Sequence, residues 1–126
     1  MIVDASSIIR AVKEDEMRKV AGASTIPLAK FEIGNAIWKD VHLRGLYSAE
    51  DAGKLLEVIL GLVDLMEVVE PDYSLALKVA VERGITFYDA SYVAAAVQRG
   101  TKLVTEDAEL RRRVRGLVES VSLGDL

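Results

Sequence analysis

The feature that most limits what this chain can become is its alternation of very short apolar runs with longer amphipathic stretches. Met1-Ile2-Val3, Ser24-Thr25-Ile26, Leu65 to Val69, Lys102 to Thr105 and Leu117 to Leu123 are too short for helices, and all read as strands. The stretches between them carry helical periodicity and helix punctuation. Ser6 and Ser7 offer caps for a helix through Ile8, Ile9, Ala11 and Val12. Pro27 precedes a helix from Leu28 to about Leu43, with Gly45 past its end. Ser48 followed by Asp51 opens a third through Leu55, Leu56, Ile59 and Leu62. Asp72 or Ser74 opens a fourth through Leu77 and Val81, which Gly84 stops. Ile85 to Tyr88 reads as a brief apolar turn, after which Asp89 starts an Ala-rich helix, Ala90 to Gln98, closed by Gly100. Asp107 caps a short basic helix, Glu109 to Arg115. Strands separated by helices must pair in parallel, because each crossover is too long for a hairpin. The expectation is an α/β fold with a parallel sheet.

At 126 residues the chain is expected to be a single domain, residues 1–126, burying roughly two-thirds of its unfolded surface. It shows no internal repeat, linker or low-complexity tract. A hydrophobic share of 51% excludes disorder. The absence of cysteine excludes disulfides, zinc–cysteine sites, iron–sulfur clusters and thiol catalysis. Met1 leads directly into Ile2-Val3-Asp4 with no export signal, and no apolar stretch approaches a membrane span. A soluble cytoplasmic protein is expected. The net charge of −4, from 20 acidic and 16 basic side chains, argues against gripping nucleic acid by bulk electrostatics. It suits carboxylates that hold cations without requiring them.

Two acidic residues stand where strands end, Asp4 after the first and Asp107 just past 102–105, and Asp89 begins a helix immediately after the apolar segment 85–88. Open parallel sheets bind ligands beyond the carboxyl ends of their strands. Each residue also has a plainer reading. Asp89 and Asp107 stand where helices begin, where Asp satisfies orphan N–H groups. Glu32 falls on a polar stripe with Asn35 that is equally consistent with a solvated helix face. Asp4 is harder to dismiss, because a carboxylate at the end of a buried strand is costly unless paired or metal-bound. Gathered at one mouth, such carboxylates repel and take up protons unless a cation holds them. An all-oxygen set favours Mg²⁺ or Mn²⁺. Ions of this kind acidify a bound water and neutralise charge on a phosphoryl group. The single histidine, His42, lies beside Leu43 in a helix and reads as a surface or packing residue rather than a base.

The segments MIVDAS, FEIGNAIWK, ITFYDASYVAAA and KLVTEDAEL, in this order and spacing, resemble the motifs of PIN domains. The likeness is greatest to the VapC-type ribonuclease toxins of toxin–antitoxin pairs, and it runs from residue 1 to about 121. The resemblance implies a three-layer α/β/α sandwich with a central, mostly parallel sheet. It implies a metal-dependent endoribonuclease using Mg²⁺ or Mn²⁺, with Asp4, Glu32, Asp89 and Asp107 as its acidic positions. Asp4, Asp89 and Asp107 correspond to metal ligands, and Glu32 to a residue that holds a second ion or orients the attacking water. Ser6, Asn35 and Thr105 correspond to supporting positions. It further implies an RNA substrate, a cognate antitoxin and a homodimer. The connection Glu14 to Ala23 is short for the family.

Arg10 and Lys13 follow Asp4, and Arg111, Arg112, Arg113 and Arg115 follow Asp107, so both sets could flank the site and hold RNA phosphates. The arginines equally suit the negative end of a short helix. Trp38, with Ile37 and Val41, reads as packing or dimer contact. Two alternatives remain open: a receiver-like Mg²⁺-binding phosphoacceptor domain, and a PIN module that binds without cleaving. The first wants adjacent acids after strand one and a lysine after the last strand, where this chain has Ala5-Ser6 and no lysine.

Overall fold

The computed structural model describes residues 1–126. Five strands form one sheet: β1 (Ile2–Val3), β2 (Ser24–Thr25), β3 (Glu67–Val68), β4 (Leu103–Val104) and β5 (Ser120–Val121). Every pairing is parallel and the order is β3-β2-β1-β4-β5. Six α-helices connect them: α1 (Ala5–Lys13), α2 (Leu28–His42), α3 (Ala49–Val63), α4 (Tyr73–Arg83), α5 (Phe87–Arg99) and α6 (Ala108–Arg113). Short 3₁₀ turns occupy Met17–Lys19 and Leu123–Asp125.

The strand order dictates the layers. The chain steps from β1 through β2 to β3 in one direction, then returns past β1 to β4 and β5 in the other. Right-handed crossovers taken in opposite directions place their helices on opposite faces. Accordingly α1, α2 and α3 pack together, whereas α4 packs on α5 and α5 lies against β1 and β4. The result is the α/β/α sandwich. Small side chains let α5 lie this close: Ala90, Ala94, Ala95 and Ala96 are fully buried with Val93. The receiver-like alternative does not survive, because receivers follow the order 2-1-3-4-5.

The direction of travel reverses between β1 and β4, which opens a crevice at their carboxyl ends. Ile2 pairs with Leu103 and Val3 with Val104, so both strands end level. Asp4 N–H closes the ladder on the Val104 carbonyl at 3.0 Å.

Several boundaries differ from the sequence expectation. Asp4, not Ser6 or Ser7, caps α1, its extended backbone serving as strand end and helix cap together. The helix expected to start at Asp89 begins earlier, at Phe87, under a Thr86 cap whose Oγ1 accepts from Asp89 N–H at 3.1 Å. Asp89 therefore sits within the first turn with its carboxylate uncommitted to capping. The strand expected over Leu65–Val69 pairs only at Glu67–Val68, and the last strand gives way to a 3₁₀ turn. Ser48, Asp72 and Asp107 cap α3, α4 and α6, and Gly84 ends α4 at a positive φ. No helix is long and apolar enough to cross a membrane.

The caps give an opposed pair of outcomes in metal-free thermal melts. Thr86→Ala is expected to cost about 1 kcal/mol, roughly 3–6 °C in a chain of this size. Asp89→Asn, which removes no cap, is expected to leave the melting temperature unchanged or raise it. Equal destabilisation by the two substitutions would contradict the assignment of the cap to Thr86.

Candidate active site

Four carboxylates gather over the β1–β4 crevice. Asp4 leaves β1 and is only 7% exposed. Its Oδ1 accepts from Ser6 Oγ at 2.6 Å and from Ser7 N–H at 3.1 Å, the latter being an orphan donor of α1. Asp107 follows β4 by two residues of loop; its Oδ1 accepts from Leu110 N–H at 3.1 Å, and its own N–H donates to Thr105 Oγ1 at 3.2 Å. Asp89 projects from the first turn of α5, where its only side-chain hydrogen-bond partner is the capping residue Thr86. Glu32 comes from α2, and its Oε1 accepts from the Tyr92 hydroxyl at 2.6 Å.

At three of them burial is the main electrostatic burden, and like charge adds to it. Burial raises the Asp4 carboxyl above its ordinary value; hydrogen bonds from Ser6, Thr105 and Ser7 N–H pull it down, and Asp89 adds to the rise. Burial raises Glu32 too, opposed by Tyr92 and reinforced by Asp4 and Asp89. Asp89 is raised by burial and then by Asp107, opposed by a hydrogen bond from Thr86. No Lys, Arg or His pairs with any of the four, whereas Glu14, Asp40, Glu67, Glu106 and Glu109 each have a basic partner. Like charges collected without a counter-charge are expensive, and a cation is the ordinary remedy. The donors are all oxygen, which fits a hard divalent ion.

The side chains do not share one concavity. Glu32, Ser6 and Asn35 line a cleft of about 710 Å³. Asp89 and Asp107 line a smaller depression of about 200 Å³ with Thr86 and Glu109. No three of them close on a point as a finished ligand cage.

Two residues of this region escaped the sequence reading. Tyr92, 1% exposed, stands three residues after Asp89 on the same face of α5 and reaches Glu32 sixty positions away. Its phenol is raised by burial and by Glu32. The T-x-x-D spacing of Thr86 and Asp89 marks the true helix start, and the i+3 position of Tyr92 follows from it. Glu106 carries no such signal. Burial pushes its carboxyl up, but Ser7 Oγ, Arg10 and Leu123 N–H hold it below the usual range. Its own N–H donates to Ser6 Oγ at 3.1 Å, so it ties α1, the β4–α6 loop and the C-terminal turn together.

The basic candidates are largely engaged. Arg10 pairs with Glu106 and Glu14. Lys13 pairs with Asp40 at 3.2 Å. Arg111 donates to the Thr105 carbonyl at 2.7 Å, and Arg112 pairs with Glu109, as does Arg113. Trp38 stacks on His42, with ring centroids 4.9 Å apart.

Comparison with known proteins bears on the family and the fold. The chain is 35% identical over 124 residues to Exonuclease VapC9 of Pyrobaculum aerophilum, covering 97% of this chain and 91% of that one. It is 35% identical over 132 residues to Ribonuclease VapC3 of the same organism, covering 94% and 97% respectively. A crystal structure of PAE2754, also from Pyrobaculum aerophilum, superposes with a TM-score of 0.82 at 30% identity, over 98% of this chain and 90% of that one. The family model for the PIN domain matches residues 1–116. By fold, by sequence and by these relatives, the chain belongs to the PIN-domain family.

Proposed function

We propose that the chain is a metal-dependent endoribonuclease that serves as the toxin of a toxin–antitoxin pair. The observation that carries this is the collection of four carboxylates over the β1–β4 crevice with no basic partner among them. Two relatives whose names are those of a VapC ribonuclease and a VapC exonuclease support the nuclease class and the toxin assignment. The intact acidic set tells against a module that only binds.

In this reading Asp4, Asp89 and Asp107 hold Mg²⁺ or Mn²⁺. Such an ion supplies Lewis acidity, lowering the pKa of a bound water and offsetting charge on the phosphoryl oxygens. Ser6 and Thr105 orient Asp4 through their hydroxyls, and the burial of Asp4 keeps water from competing for it. Glu32 has one oxygen committed to Tyr92 and the other free to orient the attacking water or to hold a second ion. A divalent ion that keeps several of its waters tolerates ligands not already closed into a cage. A cognate antitoxin that covers the site and a homodimer complete the reading. The exposed stripe Tyr73, Leu77 and Val81 on α4 is available to a second copy.

Incubating the protein with linear and circular RNA in Mg²⁺ or Mn²⁺ tests the proposal. Cleavage of the circle is expected, abolished by EDTA and by Asp89→Asn. Cleavage that survives both treatments, or none in any metal, would sink it. Tyr92→Phe leaves Glu32 untethered and is expected to lower metal affinity or cleavage about 10–100-fold. A Mn²⁺ titration of the cleavage rate measures this, and an unchanged titration would remove Tyr92 from the account.

A further inference from the structure

The cleft of about 710 Å³ runs along α2 away from Glu32, and its two ends differ in chemistry. Phe31 and Tyr88 stand at the acidic end, 79% and 61% exposed. Each adjoins a site carboxylate in sequence, Glu32 and Asp89 respectively. A single exposed ring needs no explanation, but two line the same concavity here. At the far end stand Lys13, Lys39 and Arg44 around one acid, Asp40. Asp40 is shared by Lys13 at 3.2 Å and Arg44 at 2.8 Å, and Lys39 has no carboxylate partner. Three cations thus face one anion. Glu32 and Lys39 are two helical turns apart, about 10 Å of rise, so Lys39 stands well along the cleft from the site carboxylate.

We propose that this cleft receives an unpaired RNA strand leading away from the cleavage point, with Phe31 and Tyr88 stacking on its bases and Lys39, Arg44 and Lys13 holding its phosphates. The proposal rests on the nuclease reading above and adds the path of the strand. In a chain of net charge −4, affinity for a polyanion must come from a local patch rather than the overall field. Rings at the rim reach a base face only when that base is unstacked, which selects single strands, loops and bulges over duplex. An apolar peptide would complement the rings and leave the cations facing nothing.

The test begins with cleavage by the wild type, then measures binding by fluorescence anisotropy in the Asp89→Asn background, where RNA stays intact. The probes are a labelled unpaired oligoribonucleotide and the same sequence within a duplex. Phe31→Ala and Tyr88→Ala are each expected to weaken single-strand binding about tenfold, with unchanged melting temperature. Lys39→Ala combined with Arg44→Ala is expected to reduce the slope of log affinity against log salt by about 1.4, at ~0.7 per phosphate contact. Wild-type cleavage with unaltered affinity and slope in these variants would overturn the cleft and leave the nuclease standing. A wild type that neither cleaves nor binds RNA overturns both. Preference for the duplex would also overturn the proposed path.

Discussion

The parallel pairing of β1 with β4 is the constraint on which the rest of the molecule depends. Each strand is two residues long, so the sheet is held less by its own ladder than by the helices it buries. Because Val3 and Val104 lie in register, the chain must exit both strands at the same level, Asp4 on one side and Thr105 to Asp107 on the other. From β1 the chain turns to the α1–α3 face; from β4 it turns to α6 and β5. Asp89 enters from α5, which lies against both central strands, and Glu32 from α2 on the opposite layer. The neighbourhood is therefore made by topology: residues 4, 32, 89 and 107 come to the same end of the sheet only if this strand order forms.

What distinguishes the site from ordinary acidic surface is burial without a counter-charge, since burial is the main cause that raises Asp4, Glu32 and Asp89 and none of them has a basic partner. Glu106 and Asp107 are neighbours in sequence, yet Glu106 turns to Arg10 and the C-terminal turn while Asp107 has no basic partner. The arginines of α6 are drawn off by Glu109 and by the Thr105 carbonyl. The cations of α6 and Arg10 are thus engaged in scaffolding contacts, and the crevice stays negative. That arrangement costs stability without an ion, since burial and mutual repulsion both lift Asp4, Glu32 and Asp89.

The parts of this design legible in sequence were those governed by local rules. Short apolar runs marked the strands, and Ser48, Asp72, Asp107 and Gly84 marked helix ends because caps act over three or four residues. Asp4 was recognised as a strand end but not as a cap, since the nearby serines look equally able and the dual use of an extended residue is invisible before folding. The helix begins two residues before Asp89 because Phe87 and Tyr88, which look like an apolar turn in sequence, form its first turn under the Thr86 cap. The Thr86–Asp89 spacing repeats that of Ser48–Asp51 and already held the answer. Glu106 could not be read, as its partners lie 99, 96 and 17 residues away. The pairing of Arg10 with Glu106 is hidden for the same reason, whereas Arg10–Glu14 and Glu109–Arg112 stand at ordinary helical spacings of four and three residues.

The central claim is that these carboxylates are a divalent-ion site. Anomalous diffraction from crystals grown with Mn²⁺ tests it directly. The account predicts a manganese peak in the crevice contacting Asp4, Asp89 and Asp107 oxygens, and its loss in crystals of Asp4→Asn. Crystals at saturating Mn²⁺ with no peak there, or with an ordered lysine or arginine filling the crevice instead, would contradict it.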